Sequence, residues 1–167
     1  MKNILVVGGC GFVGSNLCGH LLKQGYSVTS LDNYFTGTTF NHINGVRYYK
    51  SESKDILNID FEADFDTVFH LGEYSRVEQS FDDIDVVFEY NMQSIYSILK
   101  FCRNNNSKLI YSGSSTKFGD DGECGDSSPY AWTKKTNAEL VRVYSSWFDL
   151  DYAITYFYNV YGPREIS

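Results

Sequence analysis

The chain has 167 residues, enough for one domain with a substantial core, and a formal net charge of −7 from 14 basic against 21 acidic residues. No basic run interrupts that acidic balance, which argues against a nucleic-acid surface or a polybasic membrane anchor. No stretch approaches a membrane span, and the apolar run at residues 4–7 is too short for a signal-peptide core, so a soluble, cytoplasmic protein is expected.

The first strand is expected at 3–7, running straight into Gly8, Gly11 and Gly14, with a helix over 13–25. The three glycines have separate tasks. Gly8 permits a tight turn off the strand, Gly11 has no side chain to hold a pyrophosphate away from the backbone, and Gly14 lets the helix pack close to the sheet. Free N–H groups at the helix N-terminus then face the phosphates. A second strand at 27–32 ends in Asp32, followed by Asn33. A carboxylate there accepts hydrogen bonds from both ribose hydroxyls and repels a 2′-phosphate, so NAD is favoured over NADP.

A polar, glycine-containing loop leads to a short strand at 46–49, and an apolar run at 67–71 reads as a fourth strand buried on both faces. Residues 81–104 read as one long helix with Ile84, Val87, Ile95, Ile98 and Leu99 on its apolar side, ended by asparagines at 104–106. A fifth strand follows at 108–112. Pro129 opens a helix running to about Phe148, and a sixth strand lies at 153–157. This alternation predicts an α/β fold, a doubly wound parallel sheet of the Rossmann type, with the whole of 1–167 forming one NAD-binding domain. Cys10, Cys18, Cys102 and Cys124 form no CxxC pair and have no His at zinc-like spacing, so all four are expected reduced and no metal site is expected.

Ligands of such sheets gather at the carboxyl ends of the strands, where this chain places small, polar and aromatic residues throughout. Tyr130 and Lys134 stand four apart at the start of a helix and so share one face. A tyrosine hydroxyl is a poor base at neutral pH, but a neighbouring ammonium favours the phenolate. Lys134 could also hold a nicotinamide ribose, and Ser114, at the neighbouring strand end, could share the substrate proton. Together these groups suit proton removal from an alcohol whose carbon gives hydride to NAD.

These motifs resemble those of the extended short-chain dehydrogenases/reductases, in the NAD-dependent epimerase/dehydratase group that modifies nucleotide sugars. The resemblance runs through Gly8, Gly11, Phe12, Val13 and Gly14, then Leu31, Asp32 and Asn33, Asp55 and Ile56, and the run from Phe69 through Leu71 to Gly72. It continues through Val77, Ser80, Asn91, the run from Tyr111 through Ser114 to Ser115, the run from Ser128 to Lys134, and that from Asn159 to Pro163. It implies a cofactor site of Gly8, Gly11, Phe12, Val13, Gly14, Asp32, Asn33, Leu71, Gly72 and Lys134. Asp55 and Ile56 would flank the adenine, and Asn91 would support the active-site backbone. It also implies catalysis by Tyr130, Lys134 and Ser114, and a substrate site of Ser114, Ser115, Tyr130 and Asn159.

Dehydratases of this group carry Thr-Asp-Glu where this chain has Ser114, Ser115 and Thr116, and neither Ser115 nor Thr116 can give a carboxyl proton. The pattern is nearer to UDP-hexose 4-epimerases, which work through a transient 4-keto sugar. The other readings are a 4,6-dehydratase or reductase, and an NAD-binding module without turnover. Departures from the group pattern are Glu73, Tyr74 and Arg76 after the fourth strand, Lys117 and Phe118 after the fifth, and a short loop from Gly119 to Pro129. The group's proteins continue into a smaller substrate-gripping domain, whereas this sequence stops at Ser167, so the expectation is a form lacking most of that domain and weak or inactive alone. The resemblance further implies a homodimer through the helices at 81–104 and 128–148.

Overall fold

Strand β1 (Asn3–Val7) lies near the middle of the sheet because it is apolar on both faces, with none of Ile4, Leu5, Val6 and Val7 more than 4% exposed. Its side chains alternate between two cores, as the two-residue period of a strand requires. Ile4 and Val6 pack with Cys18, Leu21 and Val28, whereas Leu5 and Val7 join the larger cluster with Leu31, Ile95, Leu99 and Val141. The computed structural model describes residues 1–115 and 127–165; Thr116, Lys117, Phe118, Gly119 and Cys124 lie outside them.

Beside β1 lie β2 (Ser27–Asp32) and β4 (Thr67–His70). With β3 (Arg47–Lys50), β5 (Lys108–Ser114) and β6 (Tyr152–Phe157) they form a six-stranded parallel sheet in the order β3-β2-β1-β4-β5-β6. The chain reverses direction of travel across the sheet between β1 and β4, which opens a crevice at their carboxyl ends. Strand positions agree with the sequence reading to within about a residue, except that β5 runs two residues further and ends at Ser114. Helix α1 (Phe12–Lys23) stops short of the expected 25 because Gly25 adopts φ of +83°.

The long helix expected over 81–104 is corrected. It is a short 3₁₀ turn (Glu78–Phe81), then α2 (Ile84–Phe88), a π-turn (Glu89–Gln93) and α3 (Ser94–Asn105). The wider π-turn delays the rotation of successive residues, so α2 and α3 do not share one apolar stripe. Val87 is buried, but Ile84, expected on the same apolar side, is 47% exposed, as Phe88 is at 40%. Side-chain bonding accompanies the break: Asn137 Nδ2 donates to the Asn91 carbonyl inside the π-turn at 3.0 Å. Asn106, with φ of 52°, closes α3 in the left-handed conformation.

Helix α4 (Pro129–Phe148) begins as expected. Ser128 Oγ accepts from Ala131 N–H at 3.1 Å, and Pro129 occupies the first turn, where its missing N–H is not needed. Among the described residues no helix is long and apolar enough to cross a membrane.

Candidate active site

The crevice at the β1/β4 switch is a cavity of about 880 Å³. Its first wall is the turn after β1. Gly8 has φ of +85°, and a Cβ on it would stand 2.7 Å from the Gly72 nitrogen in the turn after β4. A Cβ on Gly14 would fall 2.0 Å from the Gly8 carbonyl oxygen. Both positions therefore need glycine for the fold itself. Gly11 differs: a Cβ there meets nothing closer than the Gly8 oxygen at 3.5 Å. Gly11 is also the N-cap of α1 and supplies no side chain to the first-turn N–H groups, whose intrahelical partners are missing by geometry.

Asp32 joins this wall to the end of β2. Its Oδ2 accepts from Cys10 N–H and its Oδ1 from Tyr34 N–H, both at 2.8 Å, leaving lone pairs on each oxygen. Burial pushes its carboxyl above the usual range, and the two N–H bonds pull against that rise. Tyr34 takes φ of 64° to present its N–H here.

The opposite wall comes from β4, β5 and α4. Tyr130 and Lys134 are nearly buried, at 9% and 6% exposure, and Ser114 ends β5 beside them on the cavity wall. The position of Tyr130 is braced by a chain of bonds. Tyr74 N–H donates to Asn91 Oδ1 at 2.7 Å, Asn91 Nδ2 donates to Thr133 Oγ1 at 2.9 Å, and Thr133 Oγ1 donates to the Tyr130 carbonyl at 2.9 Å. The loop after β4, the π-turn and the first turn of α4 are thereby tied together.

Within this wall lies a carboxylate, Glu73, with 1% of its side chain exposed. Oε2 accepts from Lys134 Nζ at 2.6 Å and from Tyr111 OH at 2.9 Å. Oε1 accepts from Asn137 Nδ2 at 2.9 Å and stands 3.5 Å from His70 Nε2. Burial alone would raise the carboxyl, but the ammonium of Lys134 and the His70 ring outweigh it and hold Glu73 at about 2. Burial, reinforced by the Glu73 charge, pushes the Tyr111 hydroxyl well above the ordinary tyrosine range. Lys134 Nζ also donates to the Ser112 carbonyl at 2.5 Å.

The cavity wall includes Gly8, Gly11, Phe12, Val13, Gly14, Asp32, Asn33, Leu71 and Gly72 of the expected cofactor residues. Ser114, Ser115, Tyr130, Lys134 and Asn159 line it too. Asp55, Ile56 and Asn91 do not. Ile56 is wholly buried in the core under the 3₁₀ turn Ser53–Asn58, and Asn91 is wholly buried in the bond chain behind the wall. Sequence reasoning marked Glu73 as a departure but missed its partners. The available signals were polar His70 and Tyr111 inside two buried strands, in register with each other, and Asn137 one turn beyond Lys134.

Residues 4–167 match the model of the NAD dependent epimerase/dehydratase family. An uncharacterized UDP-glucose epimerase of Bacillus subtilis is 28% identical, the match covering 97% of this chain and 58% of that protein. A UDP-N-acetyl-alpha-D-glucosaminuronate decarboxylase of Bacillus cytotoxicus is 27% identical over 98% of this chain and 56% of its own length. Among solved structures, the Bordetella bronchiseptica enzyme WbmF in complex with NAD+ and UDP superposes with a TM-score of 0.89 at 29% identity, covering 99% of this chain and 51% of that one. The chain thus spans about half the length of the curated relatives it matches. With a glycine turn, a β2 carboxylate and a Tyr–Lys pair on one crevice, and a family match over nearly its whole length, the chain belongs to the NAD-dependent epimerase/dehydratase family.

Proposed function

We propose that this chain is the cofactor-binding and catalytic part of an NAD-dependent nucleotide-sugar epimerase that inverts a UDP-hexose at C4. The observation that carries this reading is the shared cavity: the glycine turn and Asp32 on one side, Tyr130, Lys134 and Ser114 on the other. The residues fit a dinucleotide. Gly11 is left open by the protein's own atoms, and Asp32 keeps acceptor capacity for two ribose hydroxyls.

When bound, NAD supplies a reversible hydride acceptor. The N–H groups at the start of α1 would receive its phosphates, and Lys134 would donate to its nicotinamide ribose. Tyr130 takes the proton of the C4 hydroxyl as that carbon becomes a ketone, with Ser114 sharing the proton and Lys134 supporting the phenolate. Tyr130 returns the proton once the 4-keto sugar presents its other face. Ser115 offers no carboxyl proton, which favours epimerisation over loss of water. Asn159 contacts the nucleotide sugar. Ile84, Phe88 and Trp132 expose apolar surface along α2 and α4, with Phe81 in the 3₁₀ turn before α2, and Phe88 stacks on Trp132 at 5.6 Å, which supports a homodimer through these helices.

The test is mass spectrometry of cofactor released from the denatured protein, with a UDP-glucose/UDP-galactose interconversion assay and light scattering for assembly. Bound NAD, with turnover that falls at least about a hundredfold in Tyr130→Phe, is the expected result. NAD without turnover would reassign the chain as a cofactor-binding module. No dinucleotide, even at excess NAD, would overturn the reading.

A further inference from the structure

Glu73 is surrounded by donors. Lys134, Tyr111 and Asn137 each give it a hydrogen bond, and His70 stands 3.5 Å from the oxygen that Asn137 bonds. A carboxylate, which only accepts, satisfies the three donors that bond to it; a glutamine would turn an N–H₂ toward one of them. The Lys134 ammonium donates inside the protein to Glu73 and to the Ser112 carbonyl, with Ser112 Oγ at 3.4 Å, so its charge is partly compensated and its direction fixed. Glu73 also immediately follows Gly72, and both residues belong to the cavity wall that carries Tyr130 and Lys134.

Charge compensation matters for a nicotinamide. The oxidised ring carries a positive charge that disappears when it accepts hydride. A bare lysine beside the ring repels the oxidised form and favours the reduced one, whereas a lysine paired with a carboxylate does so far less. We propose that Glu73 is a positioning residue that pins Lys134 and, by offsetting part of its charge, biases this cavity toward the oxidised form of the dinucleotide. This rests on the NAD-binding reading given above. It assigns Glu73 no contact with the reacting atoms.

The experiment compares the dissociation constants of NAD+ and NADH by titration calorimetry, using the 167-residue chain and the variants Glu73→Gln and Lys134→Met, with circular dichroism to verify folding. The wild type is expected to bind NAD+ at least as tightly as NADH. Glu73→Gln is expected to shift the preference toward NADH by about fivefold, and Lys134→Met to shift it about as far toward NAD+. Glu73→Asp, which keeps the charge, should restore most of the wild-type preference. A merely structural Glu73 would instead weaken both ligands by the same factor, and that result, or an unmoved preference, would overturn the proposal. So would a wild type that prefers NADH more than about tenfold, whatever the variants do. A wild type that binds neither form would sink the NAD reading and this proposal with it.

Discussion

The two walls of the cavity are built by opposite means. The wall after β1 is made of backbone: Gly8, Gly11, Gly14 and the N–H groups of Cys10 and Tyr34, held by one carboxylate. The wall formed by β4, β5 and α4 is made of long side chains that meet from sequence separations of up to 64 residues, as between Glu73 and Asn137. The first is fixed by steric exclusion over a few neighbouring residues. The second is fixed by matching donors to acceptors and depends on the sheet being assembled first. A single methyl group should therefore disrupt the first wall, whereas the second should respond to charge.

The largest expected effect is on the backbone wall. Gly14→Ala drives a Cβ into the Gly8 carbonyl and should lower unfolding free energy by roughly 3 to 4 kcal/mol in urea titration. Gly11→Ala has room and should stay within about 1 kcal/mol of wild type while weakening NAD about tenfold or more. If both variants lose only stability, the distinction between a packing glycine and a ligand-facing glycine fails.

The side-chain wall should answer to acid. The Glu73 carboxyl is held at about 2 against an ordinary 4.5, so its contribution is fully present above about pH 4.5 and is lost as pH falls toward 2. Its magnitude is roughly 3 kcal/mol, set jointly with Lys134 and with His70 and Tyr111 facing the same carboxylate. Urea unfolding across that window should show the loss in wild type and a flatter profile in Glu73→Gln. Equal slopes would mean that the pair does not couple to folding.

The smallest effect concerns where α4 begins. Ser128→Ala removes the Oγ that accepts from Ala131 N–H and should lower stability by about 1 kcal/mol by thermal melting. An effect above about 3 kcal/mol would indicate that the cap also holds Tyr130 in place.

This contrast explains what could be read from the sequence. The strands were legible because a buried parallel strand is a short apolar run, and β1, β2 and β4 are bounded by turn residues. The glycine turn and Asp32 were legible because their geometry is local. The break at Asn91 was not, since residues 84–102 keep an unbroken helical period and the bond accompanying the break comes from Asn137, on another helix. Glu73 stood out as an acid where small residues are usual, but its role depends on Tyr111, Lys134 and Asn137, which only the folded sheet and helices bring to it.

The π-turn at Glu89–Gln93 has a consequence for how this segment tolerates insertions and deletions. Over its five residues the helix falls behind an ordinary α-helix by roughly a quarter turn. That lag nearly equals the rotation of one α-helical residue, about 100°, so deleting one residue there and closing the turn to an α-helix would leave α2 in its present phase relative to α3. Straightening the turn to an α-helix at its present length would instead swing α2 by that quarter turn, carrying Ile84 and Phe88 toward the interior and Val87 away from it. The segment is a reading frame in three dimensions: the π-turn absorbs one residue, so losing that residue with the turn preserves which side chains belong to the inside, whereas losing the turn alone shifts them.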